Sequence, residues 1–445
     1  MSGPSALKRR EIIDALRLGA VPLRGLELFA VGLDRFEKAI DEELEAVAAG
    51  RGKFKAVRGE YGTGKTFFTR YFAARALSLG MAVAEVQISE VDTPLYRLET
   101  VYRRALERLR TKERDRGAFR QLIERWFFDL EEEALAEDGS LAQDTQRLHG
   151  RVGTKLEERL RVVAEDQPAF SSALRAAHQA RLEQDVETFE GLIAWLMGQP
   201  HVAANIKRKA NVKGDLDHTG ALAFLRGLLL LLEQTGRPGL MLVLDEVETI
   251  QRVRGDLREK SLNALRQLID ALAGNEYPGL YLLITGTAAF FEGPQGIRRL
   301  EPLHMRLHTE FDADPRFDNA RAVQIRLSPF HEERLVDVGK RVRDLYPATN
   351  PERIRAKVTD EVVRAFAQRV AGTFGKRVGI APRVFLKKFV DRMLDRVDQF
   401  ADYEPLEHLD PHISAAELTA EESEAAGIVR SAEDVTLDLR GGSDD

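Results

Sequence analysis

Residues 59–66 fit the pattern G-x-x-x-x-G-K-[ST], which restricts the possible folds of this chain more than any other part of the sequence. The run reads Gly59-Glu60-Tyr61-Gly62-Thr63-Gly64-Lys65-Thr66. It stands between an apolar run and a helical pattern, which is the strand-loop-helix context that the motif requires. Glycines let backbone N–H groups approach phosphate oxygens, Lys65 offsets charge on the β and γ phosphates, and Thr66 supplies a hydroxyl for Mg²⁺. The run therefore predicts a binding site for ATP and Mg²⁺.

Short apolar runs bounded by turn residues predict five strands. They cover residues 54–58, 82–88, 240–244, 280–285 and 323–327, and helical patterns follow the first four. Runs that are apolar nearly throughout fit a sheet covered on both faces, because neither face then meets water. The sequence therefore predicts an α/β fold with a parallel five-stranded sheet.

Two carboxylates, Asp245 and Glu246, follow the third predicted strand, at the edge where the phosphate loop is expected. We expect Asp245 to hold Mg²⁺, usually through water, and Glu246 to orient the water that attacks the γ phosphate. Carboxylates here could instead stabilise the first turn of a following helix through its dipole. That alternative is the better interpretation of Glu248.

Two hydroxyl side chains, Thr285 and Thr287, stand at the end of the fourth predicted strand. We expect one of them to lie between the phosphate loop and the acidic pair, near the attacking water, and Thr287 is slightly preferred. The alternative for both is a hydroxyl that satisfies backbone groups at a strand end, which is common.

Arginines often supply the remaining transition-state charge in nucleotide hydrolases. Arg383 stands near the predicted start of a C-terminal helix, from which it could reach the γ phosphate. Arg298, Arg299 and Arg306 follow the fourth strand and could serve a neighbouring subunit. The alternative for each is a solvated surface charge, since the chain is rich in arginine.

The organisation of the chain is set by roughly 150 residues between the second and third predicted strands, more than about ten times a plain crossover. Their helical spacing predicts an all-helical insertion, and helical patterns at 332–345, 353–369 and 384–400 predict a helical lid. The predicted division is 1–95 for an N-terminal helix and the first part of the core, 96–219 for the insertion, 220–330 for the second part of the core, 331–400 for the lid and 401–445 for an acidic tail. The N-terminal helix, expected at 7–18, could pack on its own core or on a neighbouring subunit.

Composition limits the remaining chemistry. With no cysteine in the sequence, disulfides, thiolate nucleophiles and cysteine-ligated metals are excluded, and the nine histidines show no metal-ligand spacing. No stretch approaches the roughly 20 apolar residues of a membrane span, so we expect a cytoplasmic protein without membrane partners. The net charge of −6 divides unevenly: residues 401–445 hold thirteen acids and two arginines, a net of −11, which leaves +5 for the rest.

The densest basic cluster comprises Lys207, Arg208, Lys209 and Lys213, inside the predicted insertion. Four phosphate contacts would give a salt-dependent grip on duplex DNA without sequence preference, and no aromatic residue is interleaved for base stacking. The alternatives are a solvated face or a site for an acidic partner such as the tail.

These motifs, in this order, resemble those of AAA+ ATPases of the origin-initiator and STAND-like branch. The resemblance implies a P-loop NTPase fold with sheet order 5-1-4-3-2, with Lys65 and Thr66 in the Walker A role and Asp245 and Glu246 in the Walker B role. It assigns Thr287 to sensor 1 and Arg383 to sensor 2, and it implies a homo-oligomer. Unlike initiators, this chain has only the acidic tail after residue 400, where a winged-helix DNA-binding domain would stand.

More narrowly, the phrases at 31–35, 59–66, 224–228, 265–270 and 285–287 resemble the BREX phage-defence ATP-binding proteins of the BrxD type. This resemblance implies a role in defence and protein partners from the same operon, such as a helicase.

Two functions follow from these observations. The first is an ATPase motor or switch whose hydrolysis is coupled to DNA binding or remodelling. The second is a nucleotide-gated protein that controls a partner helicase, nuclease or methyltransferase without touching DNA. A small-molecule kinase is a third and weaker hypothesis, because no substrate-specific motif is evident.

Overall fold

The centre of the protein is a sheet of five parallel strands. The computed structural model describes residues 4–373 and 382–408. The strands are β1 Lys53–Arg58, β2 Ala82–Gln87, β3 Leu240–Asp245, β4 Leu280–Gly286 and β5 Gln324–Arg326. All five predicted strands are present, and the last is shorter than predicted. The spatial order is β2-β3-β4-β1-β5, which is 5-1-4-3-2 when read from the β5 edge.

The strand register brings the carboxyl ends together at one edge. Arg58 of β1 pairs with Gly286 of β4 and with Arg326 of β5, and Gln87 of β2 pairs with Asp245 of β3. Because all pairings are parallel, the loops that follow β1, β3 and β4 leave the sheet on the same side. This edge therefore collects the chemically active residues of three loops.

Nineteen α-helices surround the sheet in the described ranges. Before β3 they are α1 Ala6–Arg17, α2 Asp34–Ala48, α3 Lys65–Ser78, α4 Leu98–Glu107, α5 Ala118–Glu137, α6 Thr145–Asp166, α7 Pro168–Leu182, α8 Val186–Leu196, α9 Ala204–Lys209 and α10 His218–Gln234. After β3 they are α11 Gly255–Ala273, α12 Ala288–Glu292, α13 Glu301–Leu307, α14 Glu332–Leu345, α15 Pro351–Lys357, α16 Asp360–Thr373, α17 Pro382–Lys388, α18 Asp395–Gln399 and α19 Pro405–His408. None of the described helices is long and apolar enough to cross a membrane.

Alternate strand residues supply two apolar cores, one on each face of the sheet. Leu240, Leu242 and Leu244 of β3 join a core that also contains the buried residues of α4 to α13. Met241 and Val243 join a second core with α1 to α3 and α14 to α18. The seven helices between β2 and β3 thus share one continuous core with a face of the sheet.

The C-terminal helices differ in detail from the sequence prediction. The helix predicted at 332–345 is α14, with the same bounds. The single helix predicted at 353–369 is broken after Lys357, where Val358 leaves helical geometry and its side chain is fully buried. The helix predicted at 384–400 runs as α17, a π-helical turn at Phe389–Leu394 and α18. The predicted acidic tail lies outside the described residues from position 409 onward.

The N-terminal helix packs on its own chain. Ile12, Ile13 and Leu16 of α1 are buried in the second core. Arg17 donates to Asp395 over 2.7 Å, which ties α1 to the last helices. Of the two positions that the sequence left open for this helix, the structure therefore shows the intramolecular one.

Candidate nucleotide-binding site

The loop between β1 and α3 is shaped by its glycines. Gly62 and Gly64 have φ values of +77° and +88°, in the left-handed region that glycine adopts without strain. A Cβ on Gly59 would lie 2.4 Å from the Thr63 hydroxyl oxygen, so this position also excludes a side chain. Thr63 donates its hydroxyl to the Glu60 carbonyl at 2.8 Å. The loop thus turns tightly and ends where α3 begins, with the first backbone N–H groups of the helix facing outward.

Lys65 is held inside this loop. Its ammonium donates to the carbonyl oxygens of Gly59 at 2.8 Å and Glu60 at 3.3 Å. It also lies 3.8 Å from a carboxylate oxygen of Glu248 and 4.9 Å from the centre of the Tyr61 ring. The side chain is only 7% exposed, so its positive charge faces the pocket from a buried position.

Thr66 and Asp245 meet at the carboxyl edge of the sheet, as the sequence predicted for two Mg²⁺ ligands. The Thr66 hydroxyl donates to one Asp245 carboxylate oxygen at 3.1 Å. The buried Thr285 donates its hydroxyl to the other oxygen and accepts the Glu246 N–H at 3.0 Å. Asp245 is therefore held through both of its carboxylate oxygens, beside the hydroxyl oxygen of Thr66.

Glu246 has an unusual backbone. Its φ of 59° and ψ of 44° are left-handed, which is uncommon for a residue with a side chain and occurs often at functional sites. Its carboxylate accepts a 2.8 Å hydrogen bond from Gln87, at the end of the neighbouring strand. Glu246 lines the same pocket as Lys65 and Thr66.

The structure separates the two threonines at the end of β4. Thr285 contacts both members of the acidic pair, as described above. Thr287 is buried and precedes α12, and its hydroxyl makes no hydrogen bond within the described ranges. The backbone N–H of Ala288 donates to Glu60 at 3.2 Å, which links α12 to the phosphate loop. Thr287 stays a prediction for contact with the attacking water, whereas Thr285 is the residue that orders the carboxylates.

A pocket of about 310 Å³ extends from the phosphate loop between the N-terminal segment and the C-terminal helices. Its polar end contains the loop, Asp245 and Glu246. Its other end is mainly apolar, and its lining residues include Val21, Phe29, Val31, Phe36, Phe67, Leu327, Phe330, Val338 and Leu386. An apolar slot continuous with a phosphate loop suits the planar base of a nucleotide.

Three arginines also line this pocket. Arg383, the predicted sensor, is half-buried there, although residues 379–381, which precede it, lie outside the described ranges. Sequence reasoning missed the other two, Arg35 and Arg334. Arg35 donates to the Arg326 carbonyl at 3.0 Å, and burial lowers the pKa of its guanidinium. For Arg35 the sequence offered the phrase at 31–35, which carried a family resemblance but no derivable chemistry, and for Arg334 it offered no signal.

The predicted trans-acting arginines lie away from this pocket. Arg306 donates to Asp270 of α11 and to the Pro302 carbonyl, so it is ion-paired within its own chain. Arg298 and Arg299 are exposed in a short 3-10 helix, Ile297–Arg299. The structure of one chain leaves their role in a neighbouring subunit a prediction.

The basic cluster is partly neutralised. Lys207 pairs with Asp215 at 3.1 Å, and Lys209 pairs with Asp185 at 2.6 Å. The Lys209 ammonium lowers the pKa of Asp185 to about 2. The other two cations, Arg208 and Lys213, are exposed and have no ion pair among the described residues. The cluster therefore offers about half of the positive charge that its sequence suggests.

The parallel sheet and the pocket at its carboxyl edge define the class: an α/β nucleotide-binding protein. The family model of the BREX system ATP-binding protein BrxC/D matches residues 5–412, and the chain belongs to that family. The resemblance to BREX ATP-binding proteins seen in the sequence is thereby confirmed, and the protein is an ATP-binding protein of a phage-defence system. No curated protein matches the chain significantly.

Proposed function

We propose that this protein hydrolyses ATP with an AAA+-like P-loop fold. The observation that carries the proposal is the 3.1 Å contact between Thr66 and Asp245, with Lys65 and Glu246 lining the same pocket. Phosphoryl transfer needs positioning and electrostatic stabilisation more than covalent chemistry, and these four side chains are the types that supply them.

Mg²⁺ fits the donor set at the end of β3. Thr66 and Asp245 offer a hydroxyl and a carboxylate oxygen, and Mg²⁺ in such sites takes one or two protein ligands together with phosphate oxygens and water. No group of three or more acidic, histidine or cysteine side chains suited to a metal occurs in the described ranges, so the nucleotide would complete the coordination. When bound, Mg²⁺ would neutralise charge on the β and γ phosphates.

Different residues of this chain bind the phosphates and orient the attacking water. Lys65 contacts the phosphates, and Glu246 orients the attacking water as general base. The hydrogen bond from Gln87 fixes the Glu246 carboxylate before nucleotide arrives. Arg383 approaches the nucleotide from the C-terminal helices, so closure of these helices on ATP would complete the site.

We propose further that hydrolysis is coupled to duplex DNA, which Arg208 and Lys213 contact. The support is their exposure on a short helix and the loop after it, with the mildly basic charge of residues 1–400. The alternative is a nucleotide-gated protein that controls a helicase, nuclease or methyltransferase of the defence operon. The ion pairs of Lys207 and Lys209 favour that alternative, because they reduce the number of cations open to phosphate.

The predicted segments of the chain can be assigned to these activities. We propose that the helical segment 96–219 carries the contact with DNA or partner, while 1–95, 220–330 and 331–400 hold the nucleotide. An oligomer would allow Arg298 and Arg299 to reach a neighbouring site. The shared core between the helical segment and the sheet provides a physical connection between the two activities.

The test is ATP hydrolysis by the purified protein and by Glu246→Gln, with and without duplex DNA, at low and physiological salt. The proposal expects hydrolysis that DNA stimulates and that Glu246→Gln abolishes while ATP still binds. Hydrolysis unaffected by DNA at both salt concentrations would select the partner-gated alternative. Equal hydrolysis by both proteins would refute the role of Glu246.

A further inference from the structure

Glu248 is a buried carboxylate that the scheme above leaves without a role. It lies in the 3-10 helix Val247–Arg252, directly after the acidic pair, and its side chain is 3% exposed. Neither carboxylate oxygen makes a hydrogen bond to another residue within the described part of the chain. Burial raises its pKa to about 7. A buried carboxylate without hydrogen bonds costs free energy, so its presence beside a phosphate loop calls for an explanation.

The ammonium of Lys65 is the charge that faces Glu248. One carboxylate oxygen lies 3.8 Å from the Lys65 nitrogen. An ammonium has three N–H donors, and two of them are directed to the Gly59 and Glu60 carbonyls. The β and γ phosphates of a nucleotide require the same donors. Glu248 and the phosphates therefore compete for the same ammonium group, that of Lys65.

The two neighbouring carboxylates, unlike Glu248, accept hydrogen bonds from other side chains. Asp245 accepts hydrogen bonds from Thr66 and Thr285, and Glu246 accepts one from Gln87. Glu248 has no such donor from another residue in the described ranges, so Lys65 is the cation that compensates the charge of its ionised form. When phosphate engages Lys65, Glu248 loses part of this compensation inside a buried site, where an uncompensated charge is most costly. This free-energy cost destabilises the nucleotide-bound state relative to the nucleotide-free state.

We propose that Glu248 is a positioning residue that competes with nucleotide phosphates for Lys65 and thereby promotes release of ADP. After hydrolysis, the carboxylate draws the ammonium back toward the loop carbonyls and weakens its hold on the remaining phosphates. The proposal deepens the ATPase function and rests on it. It adds to the interpretation of Glu248 from sequence, because the residue does lie in the first turn of a 3-10 helix.

The experiment compares Glu248→Gln with the wild type in Mg²⁺-dependent binding of a fluorescent ADP and in steady-state ATP hydrolysis. Glutamine keeps the size of the side chain and removes its charge. We expect the Kd for ADP to fall by about tenfold, the effect of one contact to a charged group. KM for ATP should fall as well, and kcat should fall because product leaves more slowly. Glu259→Gln, an exposed carboxylate on α11 without an ion pair in the described ranges, is the matched control and should change neither constant.

A second variant and a stability measurement separate the outcomes. Glu248→Asp keeps the charge but withdraws it from Lys65, and its Kd for ADP should lie between those of the wild type and Glu248→Gln. A higher melting temperature for Glu248→Gln with an unchanged Kd for ADP would show that Glu248 only lowers the stability of the fold, and this would overturn the proposal. Weaker binding of ADP by Glu248→Gln than by the wild type would overturn it as well. If the wild type bound neither ADP nor ATP, the ATPase function would fall together with this inference. Wild-type binding with an unaffected variant would overturn this inference alone.

Discussion

Thr285→Val tests how the acidic pair is held in place. The Thr285 hydroxyl donates to Asp245 and accepts the Glu246 N–H, and the side chain is fully buried. Loss of the bond to the carboxylate costs about 2 kcal/mol, and the stranded N–H costs about 1.5 kcal/mol more. The added methyl group of valine returns about 0.8 kcal/mol of burial. The free energy of unfolding should therefore fall by about 2.7 kcal/mol, the sum of these three terms.

The assay is urea-induced unfolding of the nucleotide-free protein, followed by circular dichroism. Thr235→Val is the control, because its hydroxyl makes one neutral bond to the Leu232 carbonyl at 2.8 Å, away from the pocket. This control should lose about 1 kcal/mol or less. Hydrolysis should also require more Mg²⁺ in Thr285→Val, since Asp245 then keeps only its hydrogen bond from Thr66. A loss of stability no larger than that of the control, with unchanged Mg²⁺ dependence, would show that Thr285 does not hold the acidic pair in place.

Two further predictions concern the segment between β2 and β3. Burial lowers the pKa of His178 from 6.5 to about 4, so the folded protein binds this proton less readily than the unfolded chain. The free energy of unfolding should therefore decrease as pH falls from 6.5 to 4, by up to about 3 kcal/mol, and a His178→Leu variant should lack this part of the decrease in urea titrations at each pH. If DNA binds, replacing Arg208 and Lys213 together by alanine should reduce the slope of log K against log salt by about 1.8, measured by fluorescence anisotropy. Replacing the ion-paired Lys207 and Lys209 should change the slope less, and equal slopes for the two double variants would contradict the assignment of the DNA contacts to Arg208 and Lys213. For the first prediction, a His178→Leu variant that kept the wild-type dependence of stability on pH would show that His178 is not its source.

Local pattern was sufficient for much of the fold. The strands and the helix at Glu332–Leu345 were predictable because a buried parallel strand and an amphipathic helix each leave a distinct periodicity in a short stretch of sequence. The phosphate loop was predictable for a similar reason, since Gly59 to Thr66 are contiguous and the backbone requires glycine at fixed positions. The break after Lys357 was missed because the buried Val358 fits the helical pattern on both sides.

From the sequence alone, Lys65, Thr66 and the acidic pair could be predicted as the residues that meet phosphate and Mg²⁺, because they lie at the ends of recognisable elements. The tertiary structure alone decided which other side chains surround them. It selected Thr285 as the partner of Asp245, placed Arg35 and Arg334 in the pocket, and set Glu248 against Lys65. The physical reason is that hydrogen bonds and ion pairs depend on distances of a few ångströms between residues far apart in the chain, which no local spacing encodes.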